Sequence, residues 1–185
     1  MNVSALIVAI VVIVVVVAVV AWLYTRQRRQ QELRQQFGPE YDRAVDSYGG
    51  RDRAEQALSA RAERVSALNI HPLTSAESSR FADNWREVQT CFVDDPERAI
   101  RDADSLCGDV MQARGYPMGD FDQRADDISV DHPLVVEHYR AAHAIASHAE
   151  HGDASTEDLR QAMVHYRTLF EDLIDTREPA RVEHS

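Results

Sequence analysis

The chain has 185 residues and a formal net charge of −11, with 31 acids, two cysteines and twenty basic residues that are all Arg. That length predicts one domain with enough chain to bury a real core. Charge is segregated: residues 1–70 hold nine Arg against seven acids, and residues 71–185 hold eleven Arg against 24 acids. So acidic a body repels nucleic acid and anionic lipid headgroups, which argues against both as its partners.

The first element is the run VSALIVAIVVIVVVVAVVAWLY, Val3 to Tyr24, which carries no charge. As a helix it reaches roughly 33 Å, enough for a hydrocarbon core of about 30 Å. Thirteen of the eighteen residues Val3–Val20 are Val or Ile, which in water favours a buried strand. In lipid an isolated strand leaves its backbone groups unpaired, so the expectation is a transmembrane helix. Trp22 and Tyr24 suit the headgroup region, and Arg26, Arg28, Arg29 and Arg34 follow directly. The positive-inside rule then places the body in the cytoplasm and the first two residues outside. A cleaved signal peptide, releasing a secreted helical domain, is the alternative. The absent basic n-region and the absent A-x-A site argue against it. The expected membrane is the bacterial inner membrane, with the bilayer as partner through residues 3–24.

Residues 25–36 continue this helix until Gly38–Pro39 interrupts it. Tyr41, Ala44, Val45 and Tyr48 then share one helical face, and Gly49–Gly50 ends that helix. In the next helix Ala54, Leu58, Val65 and Leu68 lie on one side, flanked by Arg61 and Arg64. Residues 69–73 form a turn, because the residue before Pro72 is pushed out of helical φ/ψ. Thr74 to Glu77 reads as a capping box opening a helix that buries Phe81, Trp85, Val88 and Phe92. Asp94–Asp95–Pro96–Glu97 is a second start signal, followed by Ala99, Ile100, Ala103, Leu106 and Val110 at helical spacing, with Gly115 as the C′ stop. Another helix opens at Asp131–His132–Pro133 and runs to Gly152. The last is capped near Ser155, carries the stripe Leu159, Met163, Tyr166, Phe170 and Leu173, and stops before Pro179.

No segment alternates with period two. The fold class is therefore all-α: an N-terminal transmembrane helix followed by a helical bundle. The divisions are an anchor over 1–25, juxtamembrane helices over 26–73, an acidic bundle over 74–178 and a disordered tail over 179–185.

Three features carry the candidate chemistry. Asp120, Asp122, Asp126, Asp127 and Asp131 crowd one stretch. A calcium loop starting at Asp120 needs another Asp or Asn where Arg124 stands, so that pattern fails. The economical reading makes Asp120 the cap of a one- to two-turn helix ending by Asp127, docked by Phe121 and Ile128, with Asp131 helping to cap the next. The histidines His132, His138, His143, His148 and His151, with His165 on the following helix, lack the i, i+4 spacing of a helical zinc site. No G-x-S-x-G elbow is present, and Cys91 and Cys107 read as buried thiols in a reducing compartment. No catalytic residue, metal or cofactor is expected. A metal- or ligand-dependent enzyme built on residues 120–131 and the nearby His is the alternative. The third feature is aromatic: Tyr41, Tyr48, Trp85, Tyr116, Tyr139, Tyr166 and Phe170 either fill the core or line a groove for an unidentified protein partner.

The segments FGPEYDRAV (37–45), FVDDP (92–96), RGYP with DFDQRADDISVDHP (114–133) and LRQAMVHYRTLF (159–170) resemble a family of uncharacterised bacterial proteins. Its members are small, come from high-GC genomes, and have one N-terminal membrane segment and a helical body. The resemblance covers nearly all of the soluble part and implies this architecture and a bacterial source. It implies no activity and no catalytic residue. The functional expectation is a membrane-anchored interaction or scaffold module at the cytoplasmic face.

Overall fold

The computed structural model describes the backbone of residues 3–175 and the side chains of residues 12–175. Among them are eight helices and no strand: α1 (Val3–Phe37), α2 (Pro39–Ser47), α3 (Arg51–Ser66), α4 (Ser75–Asp94), α5 (Pro96–Ala113), α6 (Phe121–Asp131), α7 (Val136–Glu150) and α8 (Thr156–Ile174). The all-α expectation holds. The tail expected over 179–185 lies outside the described residues.

Local chemistry sets most boundaries. Thr74 accepts a bond from the Glu77 backbone N–H while the Glu77 carboxylate receives the Thr74 N–H, and Ser155 and Asp158 repeat that reciprocal box. Asp95 caps α5 through the Arg98 N–H, with Pro96 in the first turn, where its missing N–H costs nothing. At the end of α5, Gly115 N–H bonds to Gln112 and Tyr116 N–H to Met111, a Schellman closure. Gly115 has φ +97°, and a Cβ there would lie 2.4 Å from the Asn69 carbonyl oxygen. Only glycine fits on both counts.

Two boundaries differ from the sequence reading. α6 runs three turns, to Asp131 rather than Asp127, because Ile128 and Val130 are both buried and reward the extra turn. α7 begins at Val136 after a turn over 133–135, and its N-cap, Val135, makes no side-chain cap bond. Asp131, still inside α6, is not a cap of α7.

The helices enclose two apolar cores. In the larger, α5 lies between α4 and α8, and α7 packs on α8. Trp85 and Phe170 stack at its centre, 4.6 Å between ring centroids. The smaller core gathers Leu33 and Phe37 of α1, Tyr41 and Ala44 of α2, Ala54, Leu58 and Val65 of α3, and Val130 of α6. α6 thus joins the two, with Ile128 in one core and Val130 in the other.

α1 is one 35-residue helix with two surroundings. Leu33 and Phe37 are buried, whereas the large apolar residues from Val12 to Tyr24 are each between 49% and 63% exposed. Among the described residues no helix is long and apolar enough to cross a membrane. Of the expected span, Val3 and the other side chains up to residue 11 lie outside the described ones.

Candidate functional site

The aspartate stretch resolves into separate duties. Asp120 caps α6 through the Gln123 N–H at 2.8 Å. Asp122 is exposed and has no side-chain partner among the described residues. Asp126 pairs with Arg61 at 2.7 Å and reaches Arg140 at 3.7 Å. Asp127, fully buried, accepts two bonds from Arg64, at 2.8 Å from Nε and 2.6 Å from Nη2. Asp131 accepts the Tyr116 hydroxyl at 2.8 Å.

Asp126 belongs to a larger cluster centred on Glu40, which is fully buried in the first turn of α2. Glu40 accepts from Arg61 at 2.9 Å and from both terminal nitrogens of Arg140, at 2.6 and 2.9 Å. Arg43 adds a 3.5 Å contact to Glu40, and Glu137 meets Arg43 at 3.4 Å and Arg140 at 3.2 Å. Three carboxylates, Glu40, Asp126 and Glu137, thus face three guanidiniums, Arg43, Arg61 and Arg140. The forked pairing of Arg140 on Glu40 is the stronger, directional kind. Burial pushes the Asp126 carboxyl upward, with Arg61 and Arg140 pulling the other way. For Arg61, burial alone would lower the pKa, but Asp126 and Glu40 outweigh it and hold it raised. Chemically this is a charge-balanced clasp between α2–α3 and α6–α7. Its acids are held by arginines, and none is aimed at a nucleophile.

The histidines do not gather. His132 is not on α7: it is the C-cap residue of α6 and pairs with Asp172 of α8. His143 stacks flat on Phe121, centroids 3.6 Å apart. His148 and His151 are exposed, the latter bonded to the Ser147 carbonyl. His138 of α7 and His165 of α8 do meet, Nδ1 to Nδ1 at 2.9 Å with ring centroids 5.1 Å apart. That separation sets the two nitrogens close to the line between the rings, facing each other. A hydrogen bond with one shared proton fits this, whereas a chelated metal needs both lone pairs turned to a third point. Burial, and then the His138 charge, depress the pKa of His165. No group of three His, Cys, Asp or Glu side chains fit to hold a metal occurs among the described residues.

Both cysteines are free, Cys91 half-buried and Cys107 fully buried. Burial pushes the Cys107 thiol well above its ordinary range, which keeps it from being a nucleophile. The aromatic residues proposed as a docking face are core instead. Trp85, Tyr116, Tyr139, Tyr166 and Phe170 are each at most 6% exposed, Tyr41 is equally buried, and only Tyr48 reaches 39%. The reason is geometric: α5, α7 and α8 converge on the faces that carry them. Burial pushes the hydroxyls of Tyr116, Tyr139 and Tyr166 far above their usual range, and Asp104 accepts the Tyr166 hydroxyl at 3.0 Å.

Sequence reasoning missed Glu40 and Arg140 altogether. Part of the signal was present, since Arg61, which joins the clasp, and Arg64, which binds Asp127, flank the apolar side of α3 at a spacing of three. Of the expected anchor residues, Trp22 and Tyr24 are exposed, as are Arg26, Arg28 and Arg29 just beyond them. Arg26 lies over the Trp22 ring at 5.4 Å and pairs with Asp52 of α3. Neither a family model, nor a curated protein, nor a solved structure matches the chain.

Proposed function

We propose that the chain is a single-pass membrane protein of the bacterial inner membrane. Its acidic helical body is held at the cytoplasmic face and acts as a scaffold through contact with another protein. One observation carries this reading. α1 is continuous, with Leu33 and Phe37 locked into the smaller core while Val12 to Tyr24 is apolar on every face and uncovered. A helix that is apolar all round needs a nonaqueous surrounding, and the adjoining sequence back to Val3 carries no charge. The family resemblance in residues 37–45, 92–96, 114–133 and 159–170 agrees with such an anchor. The scaffold role rests on the body itself, where Glu40, Asp126 and Asp127 are held by arginines and Asp95, Asp120 and Asp158 by helix caps.

Two measurements test the proposal. The full chain should stay with membranes through alkaline carbonate extraction and be released when residues 1–24 are deleted. Protease added to sealed spheroplasts should spare the body, because the flanking Arg all lie C-terminal to the run. Digestion from outside would reverse the orientation or revive the secreted reading. Extraction of the intact chain by carbonate would remove the anchor.

A further inference from the structure

Arginine pairing in residues 1–70 changes with distance from the apolar run. Away from it, Arg34, Arg43, Arg61 and Arg64 each meet a carboxylate. Beside it, Arg28 and Arg53 have no side-chain partner among the described residues, Arg29 reaches only the Ser59 hydroxyl at 2.9 Å, and Arg51 only Gln30 at 3.5 Å. Of the near arginines, Arg26 alone finds an acid, Asp52. Arg26, Arg29, Arg51 and Arg53 border two adjoining hollows. One of about 480 Å³ lies between α1 and α3, walled by Trp22, Thr25, Arg26 and Arg29 opposite Asp52 and Glu55. The other, of about 500 Å³, runs from Arg26 to Arg51 and Arg53.

The placement fits a bilayer surface. Asp52, in the first turn of α3, meets Arg26, and Ser59, two turns on, meets Arg29. α3 therefore begins at the level of Arg26 and runs away from the apolar run, so Arg51 and Arg53 sit on the side of the body nearest to it. Arg26 and Arg29 lie about 6 and 10 Å along the helix from Trp22. The polar layer on each side of a bilayer is about 5–8 Å thick, within reach of an arginine side chain. In the rest of the body acids exceed Arg by thirteen, so a negative surface repels it and attracts only this end.

Resting on the anchored reading, we propose that Arg28, Arg29, Arg51 and Arg53, none of which meets a carboxylate among the described residues, form a docking surface for anionic phospholipid headgroups. The surface seats the body on the membrane by its basic end and keeps the acidic bundle turned to solvent for its partner.

The test uses the full chain reconstituted in phosphatidylcholine vesicles with trace spin-labelled phosphatidylglycerol or spin-labelled phosphatidylcholine, reading the motionally restricted fraction of each label. The anionic label should be preferred severalfold, and high salt should reduce that preference. Replacing Arg28, Arg29, Arg51 and Arg53 with Gln should bring it near unity. Arg160→Gln, on far α8, should leave it unchanged. Equal association of both labels with the wild type, or a preference that survives the four substitutions, overturns the proposal while vesicle flotation still supports the anchor. Competition by soluble glycerol phosphate overturns it in favour of a free anion. A wild type that does not float with vesicles removes anchor and docking surface together.

Discussion

Asp122 and Asp127 stand five residues apart on α6 in opposite circumstances. Asp122 is exposed without a partner, whereas Asp127 is fully buried under two bonds from Arg64. Asp122→Asn should therefore change stability by no more than about 0.5 kcal/mol. Asp127→Asn removes the charge that Arg64 faces and should cost about 1.5–3 kcal/mol, the range for a hydrogen bond to a charged group. Urea unfolding of the full chain, followed by circular dichroism, checks both. Equal effects would mean that the aspartate stretch acts as a unit, as an ion site would require. His165 supplies a second expectation at this scale. Its folded pKa is depressed by burial and by His138, so between the unfolded value near 6.5 and the folded one the unfolded state binds more protons. Stability is then unaffected well above that window and falls as pH drops through it. His165→Gln should flatten the decline in melting temperature between neutral pH and pH 5, and the exposed His148→Gln should not.

At the scale of elements, what was legible in the sequence was local. The box at Thr74–Glu77, the cap at Ser155 and the Asp95–Pro96 start satisfy N–H groups within three residues, so neighbouring letters suffice to read them. The start of α7 was misread because Pro133 resembles a first-turn proline. Burial of Ile128 and Val130 instead carries α6 through to Asp131. The last helix was read from its period, and Leu159, Met163, Tyr166, Phe170 and Leu173 are all buried. Phe170 is 1% exposed and stacked on Trp85 at 15° between planes, so Phe170→Ala should cost roughly 3–5 kcal/mol. That is comparable with the whole stability of a small domain. Glu171→Ala, one step round on the exposed side, should stay within about 0.5 kcal/mol. Near-wild-type unfolding of Phe170→Ala would mean that the stripe is not what holds the bundle.

At the scale of the molecule, the Glu40 clasp joins two cores of unequal size, and nothing local announces it. Glu40 and Arg140 lie 100 residues apart, and Arg64 and Asp127 lie 63 apart. A carboxylate beside Pro39 looks like any acid in a first helical turn until the fold brings three guanidiniums around it. With Glu40 fully buried and Arg61 and Arg140 nearly so, deleting one partner leaves the others poorly compensated, at a cost of about 3–5 kcal/mol. Where that cost falls is the informative question. The smaller core has few buried side chains, and α6, the clasp and the turn at Ile70, which packs against both cores, tie it to the larger one. Glu40→Ala should therefore loosen α2 and α3 selectively: their amide hydrogens should exchange faster by two or more orders of magnitude, since each 1.4 kcal/mol is about a factor of ten. Amides of α4, α5 and α8 should keep their protection. If protection falls equally in α3 and α5, the two cores open as one cooperative unit, and the clasp stabilises the whole body rather than the joint beside α1.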